Sequence, residues 1–318
     1  MNDVEVYVTY KRDGKVGRVT ISRPKALNAL NDIVVKQLDK AFQEAESDPE
    51  TNAIVLEATG GKAFVAGADI GFFINCIKED RLDDNLAFTS YGQEVLNRID
   101  NSKKLVVAKM EGMALGGGLE LALSTDVMVS TPKPIMGFPE TSIGIYPGLG
   151  GTQRSSRAVG KELAKYLLFT CRLVSAEEAF AIGLVDYVFA PEEIEEKMMS
   201  MISEGKLVPN KGRKTEELPE EWRKMKELFV DTNIDGLLSG KFMENEDPLI
   251  AKTAKIISRN APIALKLANE IVDKGFDMPV SEAVKQELVH LKEIFATADA
   301  LTGLSSVGGK EKPVYVGK

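Results

Sequence analysis

Ala114-Leu115-Gly116-Gly117-Gly118-Leu119-Glu120 is the stretch from which the rest of the chain can be read. It follows the apolar run Leu105–Met110, which reads as a buried strand, and leads into a helix with a carboxylate in its first turn. A helix start presents unpaired N–H groups and about half a positive charge. Glycines there remove the side chains that would keep a ligand oxygen from those donors. The oxygen is either a phosphate or a developing enolate; the alternative use of three glycines is tight packing of the helix on a sheet. Walker-type phosphate binding needs a Lys and a Ser or Thr after the glycines, and Leu119-Glu120 stand there instead. A carboxylate beside a bound phosphate is repulsive. The oxyanion of a thioester enolate, with water chemistry beside it, fits better.

Outward from this point, strand and helix patterns alternate. Upstream, Val4, Val6 and Val8 share one parity, and an Asp13-Gly14 turn precedes the strand Val16–Ile21, which Pro24 ends. Leu30, Val34, Leu38, Ala41, Phe42 and Ala45 recur at helical spacing, and Ala53–Ala58 reads as a buried strand. A loop rich in glycine and alanine spans Gly60 to Gly71, followed by a helix over about 85–99. Downstream come short strands near Val127 and Ile135, a turn over Pro147–Gly151, and helices to about Gly183. The pattern predicts an α/β core to about Val188 with helices after it. Residues 207–247 are more polar, with a lone Trp222 and a surface helix expected over 219–230. A long helical pattern then covers 249–274, with Pro262 at a start or a kink, and an amphipathic helix follows over 281–297 with Ser281 as N-cap.

Composition narrows the chemistry. At 318 residues, 44% hydrophobic and 28% charged, the chain has the make-up of an ordinary soluble globular protein with a sizeable core. Its apolar runs are too short to span a bilayer, and Asn2, Asp3 and Glu5 follow Met1 where a secretory leader would be basic and then apolar. A cytoplasmic location is expected. A net charge of −8 disfavours a nucleic-acid partner. Cys76 and Cys171 lack any metal-ligand pattern and read as two reduced thiols, so no metal site is expected. His290 is the only histidine, sits in a helical pattern near the C-terminus and reads as structural or solvated, so proton transfer falls to carboxylates.

Five motifs in order carry a resemblance. They are Arg23-Pro24-Lys25-Ala26-Leu27-Asn28-Ala29-Leu30, Ala63–Ile70, Gly116–Glu120, Pro139-Glu140 and Gly150–Arg154, continued by Ser175–Ala179 and Gly183–Val185. Over most of residues 4–190, and more weakly over 256–318, the chain resembles the crotonase (enoyl-CoA hydratase/isomerase) family. The resemblance implies an α/β fold, a crotonase-like spiral of ββα units with a C-terminal helical trimerisation region. It divides the chain into a core at 1–190 with the active site, a helical segment at 191–255 holding an insertion (about 207–247), and an oligomerisation region at 256–318. The insertion resembles longer hydratase modules and is expected to be a peripheral helical decoration rather than a lid on the acyl pocket.

The same resemblance implies an acyl-CoA thioester substrate, a homotrimer or hexamer, and no cofactor beyond the coenzyme A of the substrate. Glu120 and Glu140 match the two glutamates of members that hydrate enoyl-CoA. The oxyanion-hole amides map to Ala68 and Gly117. Lys25, Ala26 and Leu27, with Ala66, Asp69 and Ile70, are expected to border the CoA. Retention of both glutamates favours an enoyl-CoA hydratase acting on a short, crotonyl-CoA-like chain. The alternatives are thioester hydrolysis, enoyl-CoA isomerisation, or a non-catalytic acyl-CoA-binding or RNA-binding member. Three departures stand out: Gly71 in place of a frequent lysine, Cys171 in place of a frequent glycine, and a C-terminus that only approximates the family pattern.

Overall fold

The computed structural model describes residues 5–318; Val4 of the expected first strand lies outside them. The strands are β1 (Val8–Asp13), β2 (Val16–Ile21), β3 (Ala53–Ala58), β4 (Ala63–Ala66), β5 (Leu105–Met110), β6 (Met113–Leu115), β7 (Val127–Ser130), β8 (Ile135–Gly137), β9 (Val174–Ser175) and β10 (Tyr187–Val188). The helices to that point are α1 (Asp32–Ser47), α2 (Ile70–Lys78), α3 (Leu82–Asp100), α4 (Gly117–Leu123), α5 (Gly151–Val159), α6 (Lys161–Thr170) and α7 (Ala176–Ala181). Beyond it lie α8 (Ile194–Ser203), α9 (Glu220–Leu228), α10 (Asp231–Leu238), α11 (Pro248–Ile257), α12 (Pro262–Gly275), α13 (Val280–Ala283), α14 (Gln286–Val289), α15 (Leu291–Phe295) and α16 (Ala298–Ser306).

The chain forms two compact units. The first comprises the residues through Asp69, Tyr91–Met136 and Val174–Lys211; the second comprises Ile70–Ser90, Gly137–Leu173 and Gly212–Lys318. One sheet has the order β1-β2-β3-β5-β7-β10 and the other β4-β6-β8-β9. In the larger sheet every neighbouring pair is parallel except β1 with β2, whose hairpin turns at Gly14 with φ +60. Successive strand pairs, β3 then β4, β5 then β6 and β7 then β8, each give one strand to each sheet. That repeat is the spiral of ββα units. A C-terminal helical region follows it.

In the first unit, α8 buries Ile194 and Met198 against Val16, Val55, Val107, Val127 and Val129, with Leu207 closing the cluster. Helix α1 starts where the Asn31 side chain accepts from the Val34 amide, and it buries Val34, Val35, Leu38, Phe42 and Ala45.

The second unit is largely helical. Helix α6 has eight buried residues, Leu163 to Thr170, because α5, α12 and the insertion's α9 all pack on it. Trp222 and Phe229 bring their rings to 5.5 and 5.3 Å from that of Tyr166. Lys165, fully buried, is neutralised by Asp231 at 3.0 Å and Asp273 at 2.7 Å. The insertion is therefore a helical layer on α6, and α9 is half inside, with Trp222, Met225 and Leu228 buried.

Two expectations are corrected and one is resolved. The stretch over 60–71 holds β4, which glycine and alanine content hides. The pattern over 249–274 is interrupted after Ile257, and of the two places expected for Pro262 the helix start is the one seen. The pattern over 281–297 breaks into α13, α14 and α15, and the first is preceded by Pro279, so Ser281 is not its cap.

Candidate active site

In the first unit the site begins with Asn28. Leu27 and Asn28 both take left-handed backbone conformations, φ 50 and 58, which cost a side-chain-bearing residue energy and need a cause. The Asn28 side chain, 1% exposed, provides it. Its Oδ1 accepts from the Arg23 amide at 2.7 Å, and its Nδ2 donates to the carbonyls of Thr59 and Ala63 at 3.0 and 2.9 Å. The chain then turns to run beside the segment after β4. The amides of Ala66, Leu30 and Asp69 donate respectively to Leu27, Gly67 and Leu30 carbonyls, at 3.1, 2.9 and 2.8 Å.

This is a parallel bridge of Leu30 with Ala68. In such a bridge the flanking peptides carry the hydrogen bonds, and the central residue's own N–H points away. The Ala68 amide therefore faces away from Leu30. Strands β4 and β6 run parallel with Ala66 opposite Leu115. Ala68 and Gly117 each lie two residues beyond that pair, at the same end of the sheet.

The glycines at this point do different things. Gly116 has φ 47 and ψ −122, outside the helical and strand regions, and sets the entry to α4. A Cβ on Gly118 would stand 1.9 Å from the Val65 carbonyl oxygen, so only glycine lets α4 rest on β4. Gly117 is the first helical residue, with its amide at the positive end of α4. Of the two uses weighed for the triplet, tight packing is seen at Gly118, while Gly117 stands buried at the first position of the helix. Glu120 follows one turn later, 2% exposed, its amide donating to the Gly116 carbonyl at 2.9 Å.

Around this frame Lys25 and Leu27 are exposed, and Ala26, Ala66 and Asp69 are half-buried. The Asp69 carboxylate takes both terminal nitrogens of Arg23 at 3.3 Å, so it holds the corner as well as facing the half-exposed surface. Arg23 and Asn28 stand inside a motif visible in the sequence, yet their structural work shows only in the folded chain.

In the second unit Glu140 opens a single 3-10 turn, Glu140–Ile143, and is 7% exposed. Thr141 anchors that turn: its hydroxyl donates to the Leu168 carbonyl at 2.7 Å, and its carbonyl accepts from the Ala261 amide at 3.0 Å. The Cys171 sulfur lies 3.0 Å from the same hydroxyl. Burial pushes that thiol up to about 11, against the lowering effect of Thr141; the Glu140 carboxylate adds to the rise. Cys171 has φ 51, which explains why glycine would suit this turn and what the departure at Cys171 costs.

Other polar and aromatic groups of this unit have structural uses. The Tyr146 hydroxyl donates to the Glu287 carbonyl at 2.6 Å, and burial raises its pKa well above the ordinary phenol value. The Leu149 carbonyl accepts from Arg154 at 3.0 Å. Phe72 and Phe73 form an aromatic cluster with Phe88 and Phe295. Ile70, half-buried, starts α2. No sequence motif marks Glu287. Its fully buried carboxylate takes the amides of Gly150 and Thr152, at 2.6 and 3.1 Å, at the start of α5. The Gly150–Arg154 motif is thus a helix start filled by the protein's own anion.

A model of the enoyl-CoA hydratase/isomerase family matches residues 11–218. The chain belongs to this family. A short-chain-enoyl-CoA hydratase of Clostridium acetobutylicum is 34% identical over 96% of this chain and 95% of its own length. A crotonyl-CoA hydratase of Syntrophomonas wolfei is 40% identical over 59% of this chain and 70% of its own. The crystal structure of an enoyl-CoA hydratase from Rhodobacter sphaeroides shares the crotonase fold with a TM-score of 0.84, covering 98% of this chain and 93% of that one at 24% identity. No helix among the described residues is long and apolar enough to cross a membrane.

Proposed function

We propose that this crotonase-family protein is an enoyl-CoA hydratase, adding water reversibly across the 2,3-double bond of a short trans-2-enoyl-CoA. The observation that carries the reading is the register of β4 on β6. It leaves Ala68 and Gly117 at one sheet end, the second at the start of the helix that bears buried Glu120. Two amides directed at one thioester oxygen polarise the carbonyl, so C3 becomes electrophilic and negative charge gathers on oxygen. One such donor is typically worth about 3–4 kcal/mol.

Glu120 orients and deprotonates the water, and Glu140 helps hold it and supplies the proton to C2. General acid–base help of this kind contributes roughly 10²–10⁴-fold. Water and the thioester supply every atom, so the reaction needs no added cofactor. Lys25, Ala26, Leu27, Ala66, Asp69 and Ile70 border the CoA in this reading, and the active form is a cytoplasmic homotrimer or hexamer. The names of the two bacterial relatives favour short chains.

A panel of enoyl-CoA and 3-hydroxyacyl-CoA substrates of increasing length tests the proposal. Hydration is followed as loss of the conjugated enoyl absorbance, with the four-carbon substrate expected among the best. No absorbance change with any short or medium enoyl-CoA would remove the hydratase reading and leave isomerisation or thioester hydrolysis.

A further inference from the structure

The turn that carries Glu140 is one 3-10 turn, and so short a turn satisfies few of its own carbonyls. Its outside support comes from two directions. Leu168, Cys171 and Ala261 hold Thr141, as described above. On the other face lies α16, with no room to spare: a Cβ on Gly303 would stand 2.2 Å from the Ile143 carbonyl oxygen, and one on Gly144 2.3 Å from that of Asp299.

The last residues of the chain close over this packing. Val314 and Val316 point outward, 81% and 63% exposed, and Tyr315 between them turns inward. Its hydroxyl donates to the Ser142 carbonyl, 173 residues away along the chain. The tail is anchored by the carboxylate of Asp299, itself 1% exposed, which accepts from the amides of Val316 and Gly317 at 2.8 and 2.9 Å. The Ala298 amide donates in turn to the Lys318 carbonyl at 2.8 Å. Val316, Gly317 and Lys318 are thus tied to the first two residues of α16, and the Tyr315 hydroxyl meets the residue two after Glu140.

We propose that Tyr315 is a positioning residue for Glu140, with Asp299 as the anchor that holds the tail in place. The proposal rests on the reading of Glu140 as catalytic. A free tail would remove the one long-range bond to the Ser142 carbonyl, leaving the turn held by Thr141 and by its packing on α16, and the carboxylate two residues before Ser142 would sample orientations away from the water it serves. Sub-ångström placement matters here because a proton is passed only within hydrogen-bond reach.

The test compares wild type, Tyr315→Phe and a chain ending at Pro313. Hydrogen exchange of the segment 138–146 is measured beside that of β3, and kcat and KM are measured with crotonyl-CoA. Expected is at least tenfold faster exchange in 138–146 for both variants, with β3 unchanged. A five- to tenfold lower kcat is expected for Tyr315→Phe, with KM within about twofold, since one hydrogen bond corresponds to about that rate factor. Unchanged exchange in 138–146, equal acceleration in β3, or unchanged kcat despite faster exchange would each overturn the proposal. Should wild type lack hydratase activity, the function reading fails, and the exchange data alone still decide whether Tyr315 holds this turn.

Discussion

Gly118 lies against Val65 so closely that a Cβ would stand 1.9 Å from the carbonyl oxygen. The contact lets α4 rest on β4, and thereby brings the amide of Gly117 to the end of the sheet where Ala68 lies. Gly118→Ala forces backbone apart and should cost at least about 1–3 kcal/mol, the range for overpacking a filled core. Urea unfolding measures it. Because the shift displaces Gly117, the hydration rate should fall further than the loss of folded protein explains.

Glu287 makes the second prediction. Its buried carboxylate accepts from Gly150, Thr152 and the Thr152 hydroxyl, the last at 2.5 Å. Glu287→Gln keeps the volume but replaces one accepting oxygen by a donor facing amide donors. Hydrogen bonds to a charged group are worth about 1.5–3 kcal/mol each, so unfolding should show a loss of roughly that size. A variant as stable as wild type would mean the helix start does not depend on this anion.

Trp222 packs edge-on to Tyr166, and the Arg172 guanidinium lies 4.7 Å from its ring centroid. Trp222→Ala should cost about 3–5 kcal/mol, as truncation of a buried aromatic does. If the insertion is only a layer over α6, KM for a short enoyl-CoA stays as in wild type at temperatures where the variant is folded. A large rise in KM would show instead that the insertion borders the substrate.

Cys171 gives a pH dependence. The fold raises its thiol to about 11, above the ordinary thiol value of about 8.5. A raised acid stabilises the fold fully below the ordinary value, and the contribution is lost as pH rises through the folded one. Wild type should therefore lose stability relative to Cys171→Ala between about pH 8.5 and 11. Melting curves of the two proteins that run parallel over that range would contradict the assignment.

The parts of this protein legible in the sequence are those set by local pattern. Ala53–Ala58 and Leu105–Met110 are strands with the expected ends because each is a short apolar run between turn signals. The start of α4 at Gly117 follows from its glycines. Strand β4 is hidden because Ala63, Val65 and Ala66 owe their conformation to pairing with β6, a partner some fifty residues on. The helix over 281–297 breaks at Lys285 and His290, although an apolar periodicity continues through both. Ala68 and Gly117 could be named from motifs, but the bridge of Leu30 that turns the Ala68 amide outward depends on the left-handed Asn28. Glu287, Tyr315 and Asp299 act on residues more than 130 positions away or through a tail without motif, and no local signal marks them.

The central claim is that Glu120 and Glu140 move the protons of hydration. The measurement is the kcat of Glu120→Gln and of Glu140→Gln with crotonyl-CoA, each checked for unchanged melting. Both substitutions should lower kcat by roughly 10²–10⁴-fold with little effect on KM, since each removes a proton-transfer group and keeps its shape. Two variants that turn over crotonyl-CoA at the wild-type rate would contradict it.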